Sequence, residues 1–175
     1  MKTLTTERLI LRLVSVDDAP FILELYNHPD FYRFVGDKQM RTDYEAARYI
    51  KENMLRMEEK KGVSLLVVED KQTTQPLGIC GLVKRDTLNA YDIGYGFLPS
   101  AYGQGFAIEA AKAVIEYAKQ AMQLRQLVAI TNNDNIRSIS LLKKLGFEFE
   151  RVEQQYDNGR TLELYTLQLR FWAIP

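Results

Sequence analysis

Two glycines one residue apart, in Tyr102-Gly103-Gln104-Gly105-Phe106-Ala107, stand where an extended apolar run gives way to an Ala-rich stretch of helical periodicity. Glycine lacks Cβ, so the backbone there can turn tightly and come close to a ligand. The helix that follows opens with N–H groups that have no intrahelical partner, and its dipole adds partial positive charge. The chemistry on offer is the binding of a phosphate-bearing anion. A Walker loop would need a lysine and a hydroxyl residue after its glycine, and Phe106-Ala107 follow Gly105 instead. A dinucleotide loop would need a third glycine and a strand–helix–strand unit early in a parallel sheet, and the chain offers neither. The remaining phosphate ligand is the pyrophosphate of a coenzyme A. A plain turn into a helix stays open as the alternative.

Composition bounds what else the chain can be. The 175 residues, 46% of them hydrophobic, suffice for one domain with a proper core, taken as residues 1–175. Lys+Arg and Asp+Glu are 23 each, so no net charge draws the protein toward nucleic acid or an acidic membrane. The single cysteine, Cys80, sits in an apolar run and reads as a small buried residue, which excludes a disulfide framework or a cysteine-based metal site within one chain. No metal is expected. Glu7, Arg8, Arg12 and Asp17 interrupt any apolar signal core. No run approaches the ~18 apolar residues of a membrane span. A cytoplasmic protein is expected.

The elements that must position the loop follow from periodicity and turn residues. Leu9 to Leu13 reads as a strand. Ser15 to Asp18 can cap a helix carrying Phe21, Ile22, Leu25 and Tyr26, which ends before Pro29. Phe31 to Met40 reads as a loop with room for a short helix, and Thr42-Asp43 opens a second helix to about Lys60. Strands are expected at Ser64–Glu69, Pro76–Lys84 and Tyr91–Leu98, the first two as an antiparallel hairpin. A helix from about Gly105 to Met122 follows, then a strand at Leu127–Thr131. Asn132 to Asn135 turns into a helix bearing Ile139, Leu142 and Leu145, stopped by Gly146. Phe147–Tyr156 and Thr161–Phe171 form a hairpin around Asp157-Asn158-Gly159. The order implies an α/β fold with a mixed, largely antiparallel sheet and helices on both faces.

In that order the chain resembles the GCN5-related N-acetyltransferase (GNAT) family, in the branch that includes the ribosomal-protein alanine acetyltransferases. Four pieces carry the resemblance: Thr6 to Arg12, Ile93 to Pro99, Tyr102 to Ala107, and Asn135-Ile136-Arg137-Ser138 followed by Lys144-Leu145-Gly146-Phe147. Two departures stand out. Tyr102 holds a position that is often Gln or Arg in the broad family. Leu142 stands where many members carry a tyrosine that donates a proton to the leaving thiolate.

The resemblance implies acetyl-CoA as cosubstrate and a primary amine, on a protein N-terminus or a small molecule, as acceptor. Phe97 and Leu98 would present backbone groups to the pantetheine arm, with the Leu98 N–H on the thioester oxygen. The amides of Gly103, Gln104, Gly105, Phe106 and Ala107, with Tyr102, would hold the pyrophosphate. Asn135 can donate and accept, which suits pantetheine amides, and can equally begin a helix. Ser138 is the replacement proton donor, or a hydroxyl bonded back to its own helix. Asp92 shares a strand face with Gly94 and Gly96. It could take the amine proton, act through water or by charge attraction, or be a solvated edge aspartate. Glu109 reads as a dipole partner, His28 as structural, and Tyr32, Phe34 and Tyr44 as acceptor walls or ordinary packing. An acyl-CoA-binding module without catalysis is the second functional class. The apolar ending Phe171-Trp172-Ala173-Ile174 needs cover, from a homodimer or from its own sheet.

Overall fold

The computed structural model describes residues 1–170. The apolar ending on which the homodimer expectation rests lies outside the described residues. The strands are β1 (Leu4–Thr5), β2 (Leu9–Arg12), β3 (Leu65–Asp70), β4 (Pro76–Val83), β5 (Tyr91–Phe97), β6 (Gln126–Asn132), β7 (Glu148–Gln155) and β8 (Thr161–Gln168). They form one sheet in the order β1-β2-β3-β4-β5-β6-β8-β7, in which only β5 and β6 pair in parallel.

The helices are α1 (Ala19–Asn27), α2 (Pro29–Val35), α3 (Asp43–Tyr49), α4 (Arg56–Lys61), α5 (Phe106–Gln120) and α6 (Ile136–Lys144). Strand alternation sorts the core onto two faces. Leu66, Val68, Cys80, Leu82, Ile93 and Phe97 pack with Ala110, Ala111 and Val114 of α5 and Leu142 of α6. On the opposite face Val67 and Ile79 meet Ile22 and Leu25 of α1, Ala46 of α3 and the following Ile50 and Met54. The mixed sheet with helices on both faces is as the sequence pattern predicts.

Local details differ from expectation for identifiable reasons. Pro29 ends α1 but does not open a loop. It occupies the first turn of α2, where proline is tolerated, and the His28 imidazole caps that helix by accepting from the Asp30 N–H at 3.3 Å. The helix expected from Thr42 to about Lys60 is present, with a Thr42–Glu45 capping box at its start and a π-helical stretch, Ile50–Leu55, between α3 and α4. The short strand β1 was not read from the sequence, since two residues carry no periodicity.

Candidate functional site

The site begins where β5 and β6 part. Only Tyr91 and Asp92 of β5 pair with β6, opposite Leu127 and Val128, whereas Asp92 to Phe97 all pair with β4. The Leu98 N–H donates to the Leu77 carbonyl at 2.9 Å, which fixes the phase of the β4–β5 ladder. Antiparallel alternation then turns the N–H and C=O of Phe97, and of Tyr95 two residues earlier, away from β4 and into the split. A sheet edge of this kind can accept an extended ligand as an added strand. The same alternation corrects the expectation for Leu98, whose N–H is already used inside the sheet and is not free for a thioester oxygen.

Beyond β5 a short turn leads to the glycine loop. Gly103 and Gly105 take φ of +73° and +80°, the left-handed region that side chains disfavour, and Gly105 is the N-cap residue of α5. Nothing lies within 4 Å of where a Gly103 Cβ would be, so that backbone is open to a ligand. The loop is braced from the N-terminal segment. Arg8 donates from Nη1 to the Gln104 carbonyl at 2.9 Å, and its guanidinium lies 4.4 Å from the Phe106 ring centroid. Glu109 accepts from the Thr6 hydroxyl at 2.6 Å, the Arg8 N–H at 2.9 Å and Arg8 Nε at 2.7 Å, which holds its carboxyl below the usual range although burial opposes this. Glu109 is therefore a strut between the N-terminal segment and the helix that presents the loop. The Gln104 side chain turns back to the Ser100 carbonyl at 2.6 Å.

Across the split stands α6. The Asn135 side chain caps it by accepting from the Ser138 N–H at 3.2 Å, so the helix-start role is realised and leaves the Asn135 amide N–H₂ for a ligand. The Ser138 hydroxyl lies 2.9 Å from the Tyr95 phenol oxygen. Burial pushes the Tyr95 phenol well above its ordinary value, so it stays protonated at neutral pH. Sequence reasoning missed Tyr95. Its place on the strand before the loop was visible, but its pairing with a serine 43 residues away was not.

These elements enclose a groove of about 820 Å³. Among the expected residues it is lined by Phe97, Tyr102, Gly103, Gly105, Phe106, Ala107, Asn135 and Ser138, with Tyr95 and Gly96 added. Helix α2 adds Phe31, Phe34 and Val35 to its lining. Helix α2 bridges the split. On the β5 side, Tyr102 donates its hydroxyl to Asp30 at 3.3 Å, and Arg137 reaches over from α6 to lie 4.5 Å from the Tyr102 ring and 3.4 Å from Asp30. On the β6 side, Arg33 pairs with Asp134 at 3.0 Å and Asn132 donates to the Phe34 carbonyl at 3.0 Å.

Asp92 is not solvated. It is 2% exposed at the apex of the split, where Arg85 Nε donates to it at 2.6 Å. Burial dominates, and the carboxyl is pushed up to about 6 against the pull of Arg85. Asp92, Leu98 and Gln104 do not line the groove. Cys80 is buried, and burial raises its thiol, in keeping with an inert core residue. Among the described residues no His/Cys/Asp/Glu group is arranged to hold a metal ion, and no helix is long and apolar enough to cross a membrane.

A family model described as acetyltransferase (GNAT) domain matches residues 8–148. The uncharacterized N-acetyltransferase p20 of Bacillus licheniformis is 30% identical, over 97% of this chain and 96% of that protein. The ribosomal protein uS5-alanine N-acetyltransferase of Escherichia coli is 27% identical, over 87% of this chain and 81% of its own length. Among solved structures, the ribosomal L7/L12 α-N-protein acetyltransferase RimL in complex with coenzyme A superposes with a TM-score of 0.77 at 16% identity, covering 96% of this chain and 98% of that one. At that identity the likeness is one of fold.

Proposed function

Given that the chain belongs to the GNAT acetyltransferase family, we propose that it transfers an acetyl group from acetyl-CoA to a primary amine. The acceptor is a protein N-terminal α-amine or the amine of a small molecule. The observation that carries the proposal is the parting of β5 from β6 after Asp92, which leaves the Tyr95 and Phe97 backbone groups unpaired beside the glycine loop. The residues fit a coenzyme A. Backbone amides of Gly103 to Ala107 at the start of α5 suit the pyrophosphate, and Phe97 and Asn135 offer donors and acceptors to pantetheine amides. Bound there, acetyl-CoA supplies an acyl group activated as a thioester.

The chain's own residues do the rest. The Tyr95 N–H, beside the Ser138–Tyr95 hydroxyl pair, is placed to stabilise negative charge developing on the carbonyl oxygen. The amine enters neutral and its nitrogen bonds the carbonyl carbon as the carbon–sulfur bond breaks. The nitrogen loses one proton to water and the departing sulfur gains one from Ser138, which Tyr95 or water re-protonates. Asp92 holds the apex of the split and does not touch the substrate. The uS5-alanine relative supports a protein α-amine as acceptor. The intact loop and the hydroxyl pair favour catalysis over a binding module.

Calorimetric titration with acetyl-CoA, followed by thiol release with a panel of amines and N-terminal peptides, tests this. Binding with turnover on one acceptor is the expected result. Binding without turnover on any of them would favour the module, and no binding would remove the coenzyme A reading.

A further inference from the structure

Gly96 sits between Tyr95 and Phe97, the two residues whose backbone groups face the split. A Cβ built on Gly96 would lie 2.2 Å from Cε2 of Phe31, so the space a side chain would take is filled by that aromatic ring. The ring is backed by Tyr26, with centroids 4.4 Å apart, and Tyr26 is 4% exposed and packed in turn against Tyr49. The Phe31 ring also lines the groove beside Phe34 and Val35. Two residues back on the same strand face, a Cβ on Gly94 would meet the Leu65 side chain at 2.9 Å, so no free depth lies under this stretch of β5. A group emerging from the split between Tyr95 and Phe97 therefore meets a flat apolar wall that cannot retreat without disturbing packed aromatic side chains.

We propose that Phe31, seated in the space vacated by Gly96, limits the length of the acyl chain the protein accepts, admitting a two-carbon acyl group and rejecting four carbons. This rests on the coenzyme A reading above. A methyl group gains apolar contact with the ring, whereas each further methylene must displace it. Pocket walls of this kind discriminate by roughly 10-fold or more per methylene.

The test needs no acceptor. Free CoA, acetyl-CoA, propionyl-CoA and butyryl-CoA are titrated calorimetrically into the wild-type chain, Phe31→Ala and Phe31→Leu. The wild type is expected to bind butyryl-CoA, two methylenes longer, at least about 100-fold more weakly than acetyl-CoA, with propionyl-CoA between them. Phe31→Ala is expected to bring butyryl-CoA to within about 3-fold of acetyl-CoA while leaving free CoA affinity unchanged. Phe31→Leu, which keeps an apolar side chain against Tyr26 but removes the flat ring, should relax the same ratio in part and carries the test if the alanine variant does not fold. A wild type that binds all acyl lengths equally, or folded variants that keep its discrimination, would overturn the proposal while leaving coenzyme A binding intact. A wild type that binds none of the four ligands would overturn the coenzyme A reading itself.

Discussion

The phenol oxygen of Tyr95 and the hydroxyl oxygen of Ser138 lie 2.9 Å apart, joining the last strand before the glycine loop to the first turn of α6 across the groove. Leu142, where many family members have a proton-donating tyrosine, is fully buried in the core. The hydroxyl pair occupies the groove instead. If Ser138 protonates the departing sulfur and Tyr95 supports it, the two act as a unit. Ser138→Ala should lower kcat on the order of 100-fold with little change in the acetyl-CoA dissociation constant. Tyr95→Phe should lower it less, and the double variant should be little worse than Ser138→Ala alone, since coupled residues are not additive. Strictly additive losses in a double-mutant cycle would separate the two roles.

Gly105 holds a φ of +80° as the N-cap residue of α5, with Arg8 Nη2 3.4 Å from where its Cβ would be. On the coenzyme A reading, Gly105→Asp brings a carboxylate beside the amides proposed for the pyrophosphate, and adds about 1 kcal/mol of backbone strain. Affinity for acetyl-CoA should fall by roughly 100-fold or more, the result of opposed charge at an anion site. The far-ultraviolet circular dichroism should be unchanged. A folded variant with wild-type affinity in calorimetry would place the pyrophosphate elsewhere.

Asp92 gives a pH signature in stability. Its carboxyl titrates near 6 in the folded chain, above the ordinary 3.8, because burial outweighs Arg85. A carboxyl with a raised folded pKa binds its proton more tightly when folded. Its stabilising contribution is thus complete below about pH 4 and is lost as pH rises through about 6. The stability of the wild type relative to Asp92→Asn should fall by about 2 kcal/mol between pH 4 and pH 7 and then level off. Urea unfolding of both proteins across that range reads the difference directly, and a flat difference would mean that Asp92 is ionised throughout.

Much of this protein was legible along the chain because the signals are local. Short apolar runs between turn residues marked the strands, Ser15 and Thr42 marked helix starts, and Gly105 and Gly146 marked backbone turns that only glycine makes cheaply. The order of those elements implied the mixed sheet, and the spacing of Gly103 and Gly105 implied the anion loop. What stayed hidden depends on registers and distances between segments far apart in sequence. Whether Leu98 or its neighbours face the split follows from the phase of the β4–β5 ladder, and one residue of phase exchanges every inward and outward backbone group. The burial of Asp92 follows from the point at which β6 leaves β5. Tyr95 meets Ser138, and Phe31 meets Gly96, only because α6 and α2 are brought to the two sides of that parting. Local sequence determined the elements and the loop. Tertiary packing decided which of their polar groups remain free to act, because a hydrogen-bonding group is available only where the fold leaves it without a partner.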